Sequence, residues 1–420
     1  MKANWNYPTS IRVGEQRLSE LGACCVDLNI RNPLLVTDPG LADLPILGQA
    51  LAACASEGLE CSVFSEVQPN PTGTNVEQGV SAFKDGGHDG VIAFGGGSAL
   101  DAGKAIALMA RQNIPIWDLE DIGDNWTRAD AQAIAPVVAV PTTAGTGSEV
   151  GRVSVILDEV NQVKRLIFHP DIVPAVVILD PVVTVGLPPF LTAATGMDAL
   201  SHSLEAWCSS AYHPMAEGIA TEGIRLVKEY LPTAVVDGTD LEARTQMLVA
   251  STMGATAFQR GLGAMHALSH PLGALYNAHH GTLNAVLMPY VLVENRKVID
   301  ERITRLARSI GISGSGFAPF LDWVLELRET LNIPPDLEAL GIDDAQAEKI
   351  GAMAEVDPSS GTNPILFSAD EYRSIFLKAL KGDLGQDPWT KFRTQILPLG
   401  FCNAVKCLRI CASRSSTITR

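Results

Sequence analysis

The histidines at 202, 266, 270, 279 and 280 of this 420-residue chain fall within 79 positions, and their spacing is the first sign of chemistry. In GMDALSHSLEAW, Asp198 and His202 stand four residues apart. On a helix that interval sets a carboxylate and an imidazole on one face, beside an apolar stripe of Met197, Leu200, Leu204 and Trp207. His266 and His270 repeat the interval in GAMHALSHPLG, where Pro271 is expected to kink or end the helix. One carboxylate with several imidazoles from separate helices makes a divalent-metal set, with iron(II) or zinc the candidates. Fewer than six protein ligands leave a position for a substrate oxygen. For any single histidine the competing reading is a hydrogen-bonded structural residue, and the isolated His88, His169 and His213 take that reading.

A second kind of chemistry lies earlier in the chain. Gly95, Gly96, Gly97 and Ser98 follow the apolar run VIAF and open a helical segment carrying Asp101 and Lys104. Consecutive glycines let a phosphate approach the backbone, and the free N–H groups and positive end of a helix attract it. The spacing is not GxGxxG, so a plain tight turn is the alternative. Pro141 to Glu149, PTTAGTGSE, supplies the hydroxyls of Thr142, Thr143, Thr146 and Ser148 after a second apolar run, PVVAV. No Walker lysine follows these glycines, which suits a dinucleotide better than a triphosphate; a Thr-rich surface loop is the alternative. Asp38 closes the run LLVTD, where a carboxylate accepts from an adenosine ribose and repels a 2′-phosphate, favouring NAD over NADP. Asp-Pro-Gly is equally ordinary turn chemistry.

The elements that must position these residues fall into two kinds. LLVTD (34–38), CSVFSEV (61–67), GVIAFGGGS (90–98), PVVAVPTT (136–143) and AVVILDP (175–181) read as strands apolar on both faces, separated by helical segments that end at glycine. That is βαβ repetition and a parallel sheet covered on both sides. Beyond Pro188-Pro189 the strand signals stop and long helical patterns take over. The expected organisation is therefore an α/β dinucleotide-binding domain over 1–187, an all-α metal-binding and catalytic domain over 188–380, and an atypical tail over 381–420. The tail holds seven basic residues, two acidic ones and Cys402, Cys407 and Cys411. It suits either a loosely packed extension or a basic partner-binding segment.

Composition narrows the partners. A net charge of −16 excludes a phosphate-backbone binder, so no nucleic acid is expected. Eight cysteines without a CxxC pair read as free thiols in a reducing compartment. The N-terminus has no apolar signal core, and the least charged stretch, 172–197, is broken by Asp180 and four prolines. No membrane span is expected, and the cytoplasm is the expected location.

GGGSALDAGKAI (95–106), PTTAGTGSEV (141–150), GMDALSHSLEA (196–206) and GAMHALSHPLGALYNAHHG (263–281) together resemble the iron-containing (group III) alcohol dehydrogenases, over about residues 8–380. The resemblance implies the same two-part fold with the active site in the cleft. It implies metal ligation by Asp198, His202, His266 and His280, and a proton relay through His270. Cofactor contacts are implied at Asp38, Asn70, Gly96, Gly97, Ser98, Asp101, Thr142, Thr143, Thr146, Ser148 and Lys164, whereas His279 matches no ligand. The implied reaction is reversible hydride transfer between a primary alcohol or diol and its aldehyde, with NAD and iron(II), or zinc, in a homodimer or larger homo-oligomer. A hydroxyacid-oxoacid transhydrogenase and a zinc glycerol dehydrogenase-like enzyme are the nearest alternatives. A dehydroquinate synthase type would need several basic phosphate ligands, and only Arg152 and Arg260 lie near in sequence. A non-catalytic assembly or metal-storage role leaves the complete ligand set and two dinucleotide motifs without a purpose.

Overall fold

The computed structural model describes residues 9–314 and 316–385, so most of the 381–420 tail, including its three cysteines, lies outside the described residues. The first half of the chain contributes strands β1 (Ser10–Val13), β2 (Pro33–Val36), β3 (Ser62–Phe64), β4 (Gly90–Gly95), β5 (Val137–Pro141), β6 (Val153–Asp158), β7 (Val163–Phe168) and β8 (Val176–Leu179). Six of these form one sheet in the order β1-β8-β5-β4-β2-β3, parallel at every pairing. Helices α1 (Leu21–Asp27), α2 (Pro39–Ala42), α3 (Pro45–Ser56), α4 (Gly73–Asp85) and α5 (Gly97–Met109) connect them.

Strands β2, β4, β5 and β8 are buried along their whole length, which is why they read as unbroken apolar runs. Their residues alternate between two cores. Leu34, Val36, Val91, Ala93, Val137 and Ala139 join α4 and α5 on one face. Leu35, Ile92, Phe94, Val138 and Ile178 join α1 and α3 on the other. Gly58 and Gly87, with φ of 73° and 62°, terminate α3 and α4 in the left-handed conformation expected there.

The chain runs outward from β2 to β3 and then returns to place β4 on the other side of β2, so a crevice opens beyond the carboxyl ends of β2 and β4. Open parallel sheets bind ligands at such a switch point. Asp38 follows β2 there, and the Gly96–Ser98 turn follows β4.

Two strand features were absent from the sequence reading. β1 is a four-residue edge strand paired with β8. β6 and β7 form an antiparallel hairpin outside the main sheet, inserted between β5 and β8. Their half-buried alternation carries no long apolar run, so they lack the signal that marks the central strands.

The remaining elements are helical: α6 (Pro189–Cys208), α7 (Pro214–Val236), α8 (Leu241–Ala257), α9 (Ala264–Tyr276), α10 (His280–Ser309), α11 (Phe317–Thr330), α12 (Ala347–Glu355) and α13 (Ala369–Lys381). Among the described residues no strand follows β8. The change from strand to helix falls between Leu179 and Pro189, and residues through Asp383 form one compact unit. Pro271 does not end its helix: α9 continues to Tyr276, where Asn277 takes a left-handed φ of 51°. Packing on both sides of α9 outweighs the single backbone hydrogen bond that proline removes.

Asp180, 1% exposed, anchors the start of the chain to the end of β8. Its Oδ1 accepts from Gln16 N at 3.1 Å and Val182 N at 3.0 Å, and its Oδ2 from Leu18 N at 2.9 Å. Asp180→Ala leaves these donors unmet and is expected to lower stability by about 2–4 kcal/mol, read as a lower urea midpoint at unchanged slope.

Candidate functional site

The helical half brings together side chains that are as much as 82 positions apart in sequence. Asp198 and His202 project from one face of α6, His266 and His270 from α9, and His280 is the first residue of α10. One donor atom from each of Asp198, His202, His266 and His280 lies within 4.8 Å of all the others. His202 Nε2 stands 4.0 Å from Asp198 Oδ1, and His280 Nε2 3.8 Å from the same oxygen. The rings of His202 and His266 stack at 4.8 Å between centroids, and those of His270 and His280 at 5.6 Å.

The neighbours of these rings fix where their lone pairs point. His266 Nδ1 meets Glu205 Oε2 at 2.7 Å, and His280 Nδ1 meets Ser269 Oγ at 3.3 Å. A carboxylate only accepts, so the proton of neutral His266 sits on Nδ1 and its Nε2 lone pair faces inward. The Asn284 amide nitrogen approaches His266 Nε2 and His280 Nε2 at 3.2 Å each and Asp198 Oδ1 at 2.8 Å. Three lone pairs thus converge on one donor group. A carboxylate and imidazoles converging this way fit a divalent cation of borderline softness, such as iron(II) or zinc.

Burial sets the charge state of these rings. It pushes His202 down to about 4 and His280 well below the usual imidazole range, so both stay neutral at pH 7. Burial also opposes charge on His266, but the carboxylates of Glu205, Asp198 and Asp357 together outweigh it and raise its pKa. His270 differs from the others: its Nδ1 faces Asp357 Oδ2 at 2.8 Å, while Asp357 Oδ1 caps the following turn by accepting from Ser359 N at 2.8 Å. That leaves Nε2 of His270 open to the cavity.

The sheet half faces this cluster across a cavity of about 220 Å³. Gly97 begins α5 without a side-chain cap, so its first N–H groups are available to an anion. The loop after β5 is pressed onto the helical half. A Cβ on Gly145 would sit 2.9 Å from the Thr195 carbonyl on α6, and one on Gly147, whose φ is 62°, 2.8 Å from the Ser251 carbonyl on α8. Only glycine admits that approach, and it brings Thr146 and Ser148 to the cavity wall. Asp101 on α5 holds the arrangement together. It accepts from Ser148 Oγ at 2.5 Å and Val155 N at 3.1 Å, and pairs with the fully buried Lys104 at 3.3 Å.

Of the residues singled out from sequence, Asn70, Gly97, Ser98, Asp101, Thr146, Ser148, Lys164, His202, His266, His270 and His280 line this cavity. Asp198 lies behind the histidines at 2% exposure. Asp38, Gly96, Thr142 and Thr143 stand outside the cavity wall. The Thr142 N–H is already engaged, donating to Gly95 O at 2.9 Å. Asp38 realises the turn chemistry, with Oδ1 capping α2 through Gly40 N and Leu41 N. Lys164 is partly exposed at the cavity wall, and desolvation pushes its ammonium down to about 8 against the pull of Asp101 and Asp198.

The bland histidine readings hold: His169 and His213 accept from Asp171 N and Ala216 N, and His88 Nδ1 lies 3.0 Å from Asn32 O. His279, unmatched to any ligand, caps α10 through Thr282 N. Sequence reading missed Glu205, Asn284 and Asp357. Glu205 follows Asp198 by seven positions and Asn284 follows His280 by four, so helical periodicity could have found both. Asp357 is 87 residues from His270 and has no local signal.

The hairpin completes the wall with Val153, Val155, Leu157 and Leu166, joined by Phe258 and Leu262. A second cavity of about 330 Å³ shares Arg152, Val153, Leu166, Phe258, Leu262 and Ser359 with the first, giving the cluster an approach from that side.

Comparison with known proteins agrees with this geometry. Residues 8–181 match the family model described as iron-containing alcohol dehydrogenase, and residues 192–380 match that of the C-terminal region of the Fe-containing alcohol dehydrogenase family. The chain is 38% identical over 384 residues to the 4-hydroxybutyrate dehydrogenase of Cupriavidus necator, covering 89% of this chain and 99% of that one. A crystal structure of a 1,3-propanediol oxidoreductase superposes with a TM-score of 0.86 at 34% identity, over 90% of this chain and 100% of the other. The sulfoacetaldehyde reductase of Bifidobacterium kashiwanohense, solved in complex with NAD+, gives 0.82 at 28% identity, over 92% of this chain and 100% of that one.

Asp101→Ala removes the carboxylate beside buried Lys104 and frees the Ser148 and Val155 donors. A loss of about 3–5 kcal/mol is expected, measured by urea denaturation of the ligand-free protein. A loss under 1 kcal/mol would show that Lys104 is held by Glu149 and the Val153 carbonyl alone.

Proposed function

Because the chain belongs to the iron-containing alcohol dehydrogenase family, and is an oxidoreductase acting on alcohols, we propose that it interconverts a primary alcohol or diol and its aldehyde using NAD and one divalent ion, iron(II) in the first instance. The observation that carries this reading is the four-donor cluster set against the uncapped end of α5 across a single cavity.

In this reading Asp198, His202, His266 and His280 hold the ion. When bound, it supplies electrostatic stabilisation for negative charge developing on a substrate oxygen, while the nicotinamide supplies the hydride acceptor. The protein's own groups do the rest. The N–H groups of Gly97 and Ser98, with the hydroxyl of Thr146, receive the cofactor diphosphate at the helix end, and Ser148, committed to Asp101, holds the loop in place beside it. Asp38, which caps α2 through Oδ1, offers Oδ2 to an adenosine ribose, and its charge favours NAD over NADP. His270, held through Nδ1 by Asp357, presents Nε2 to take the hydroxyl proton and pass it to solvent. Phe258, Leu262 and Val153 keep water from the reacting carbon. We further propose that the sheet half through 187 binds the cofactor and the helical half over 188–380 binds the ion, and that the enzyme works in the cytoplasm as a homo-oligomer.

The test is absorbance at 340 nm with NAD and a panel of straight-chain alcohols, diols and hydroxyacids, run on protein stripped of metal and reloaded with iron(II) or zinc. Turnover is expected only after reloading, and His266→Ala is expected to lose bound metal and turnover together. Full turnover of stripped protein would defeat the reading. A second test concerns Lys164, which is charged below about pH 8 and neutral above it. The positive form favours an anionic diphosphate, so the NAD dissociation constant is expected to rise above pH 8, by up to about tenfold per pH unit, and to stay flat in Lys164→Met.

A further inference from the structure

Glu205 is a buried acidic side chain with three partners that the proposed chemistry leaves without a part. It sits on α6 three residues after His202 and is 4% exposed. Its Oε2 accepts from Gly263 N at 2.8 Å and faces His266 Nδ1 at 2.7 Å, while its Oε1 accepts from Met265 N at 2.7 Å. Gly263 precedes α9, so one carboxylate closes the first turn of that helix and grips the imidazole that the turn presents. A Cβ on Gly263 would lie 2.9 Å from Oε1, so the chain comes as close to this carboxylate as any residue allows. Asn363 meets the same helix end independently: its Oδ1 accepts from Ala264 N at 3.0 Å without touching His266.

We propose that Glu205 is a positioning residue that fixes the tautomer and orientation of His266, and thereby sets how tightly the four-donor cluster binds a divalent ion. This rests on reading that cluster as the metal site. The chemistry follows from the hydrogen-bond inventory. A carboxylate only accepts, so it requires a proton on Nδ1 of His266 and leaves the Nε2 lone pair facing Asp198, His202 and His280. An amide in its place has one accepting atom and one donating group for three bonds that all need an acceptor. Gln at 205 must therefore either abandon a helix N–H or donate to Nδ1, and the latter moves the ring proton to Nε2, where it blocks ligation.

The experiment uses the full chain, stripped of metal and titrated with Zn(II) against a chromophoric chelator. Glu205→Gln is expected to weaken Zn(II) binding by about 10–100-fold. Asn363→Ala frays the same helix end and is expected to lower the melting temperature while leaving Zn(II) affinity within threefold of the parent. Equal affinity in Glu205→Gln and parent overturns the proposal, as does an equal loss in Asn363→Ala, which would make the effect one of helix capping alone. Nitrogen-15 histidine spectra of the metal-free parent, with the His266 signals assigned by their loss in His266→Asn, need no variant at 205. Recorded at a pH where the His266 ring is neutral, they are expected to show Nδ1 protonated and Nε2 bare, and the reverse tautomer overturns the proposal. Should the parent bind no Zn(II), the metal reading falls, while the tautomer still decides whether Glu205 positions His266.

Discussion

Everything in the helical half answers to the cost of taking three carboxylates, Asp198, Glu205 and Asp357, and four imidazoles out of water. Such groups tolerate burial only where each proton and lone pair has an assigned partner. Glu205 and Ser269 take the outer nitrogens of His266 and His280, Asp357 takes that of His270, and Asn284 bridges the inner atoms, while His202 Nδ1 and Asn284 Oδ1 are left without a hydrogen bond. What remains is a set of lone pairs pointing at one place. Helices α6, α9 and α10 are held in register by these bonds as much as by their apolar faces.

The sheet half meets a different constraint, which is to expose unsatisfied backbone donors without unfolding. A parallel sheet covered on both faces supplies the rigidity, and the topological switch between β2 and β4 supplies the opening. The uncapped start of α5 then projects into it. Asp101 links this helix end to both the hydroxyl-bearing loop and the hairpin, so the anion-receiving groups move as one body. Glycines 145 and 147 let that loop lie directly on α6 and α8, which is how the two chemistries come to share a wall.

The hairpin β6–β7 shows how a modest insertion shapes a site. It adds nothing to the main sheet, yet Val153, Val155, Leu157, Lys164 and Leu166 all reach the cavity from it. The apolar members line the cavity, and desolvation lowers the pKa of the one cation among them to about 8.

Much of this was legible beforehand because its signals are local. Four-residue spacing set Asp198 with His202 and His266 with His270, unbroken apolar runs marked the buried parallel strands, and the glycine run marked the start of α5. The half-buried hairpin, the continuation of α9 past Pro271, and Asp357 beneath His270 were not legible. A strand with one wet face carries no long run, a proline's cost is set by the packing around it, and a bond across 87 residues leaves no trace in spacing. Sequence alone determined which groups the protein owns and on which helix faces they lie. Only the tertiary structure decided which nitrogen of each imidazole faces inward, because that is settled by buried partners from other elements.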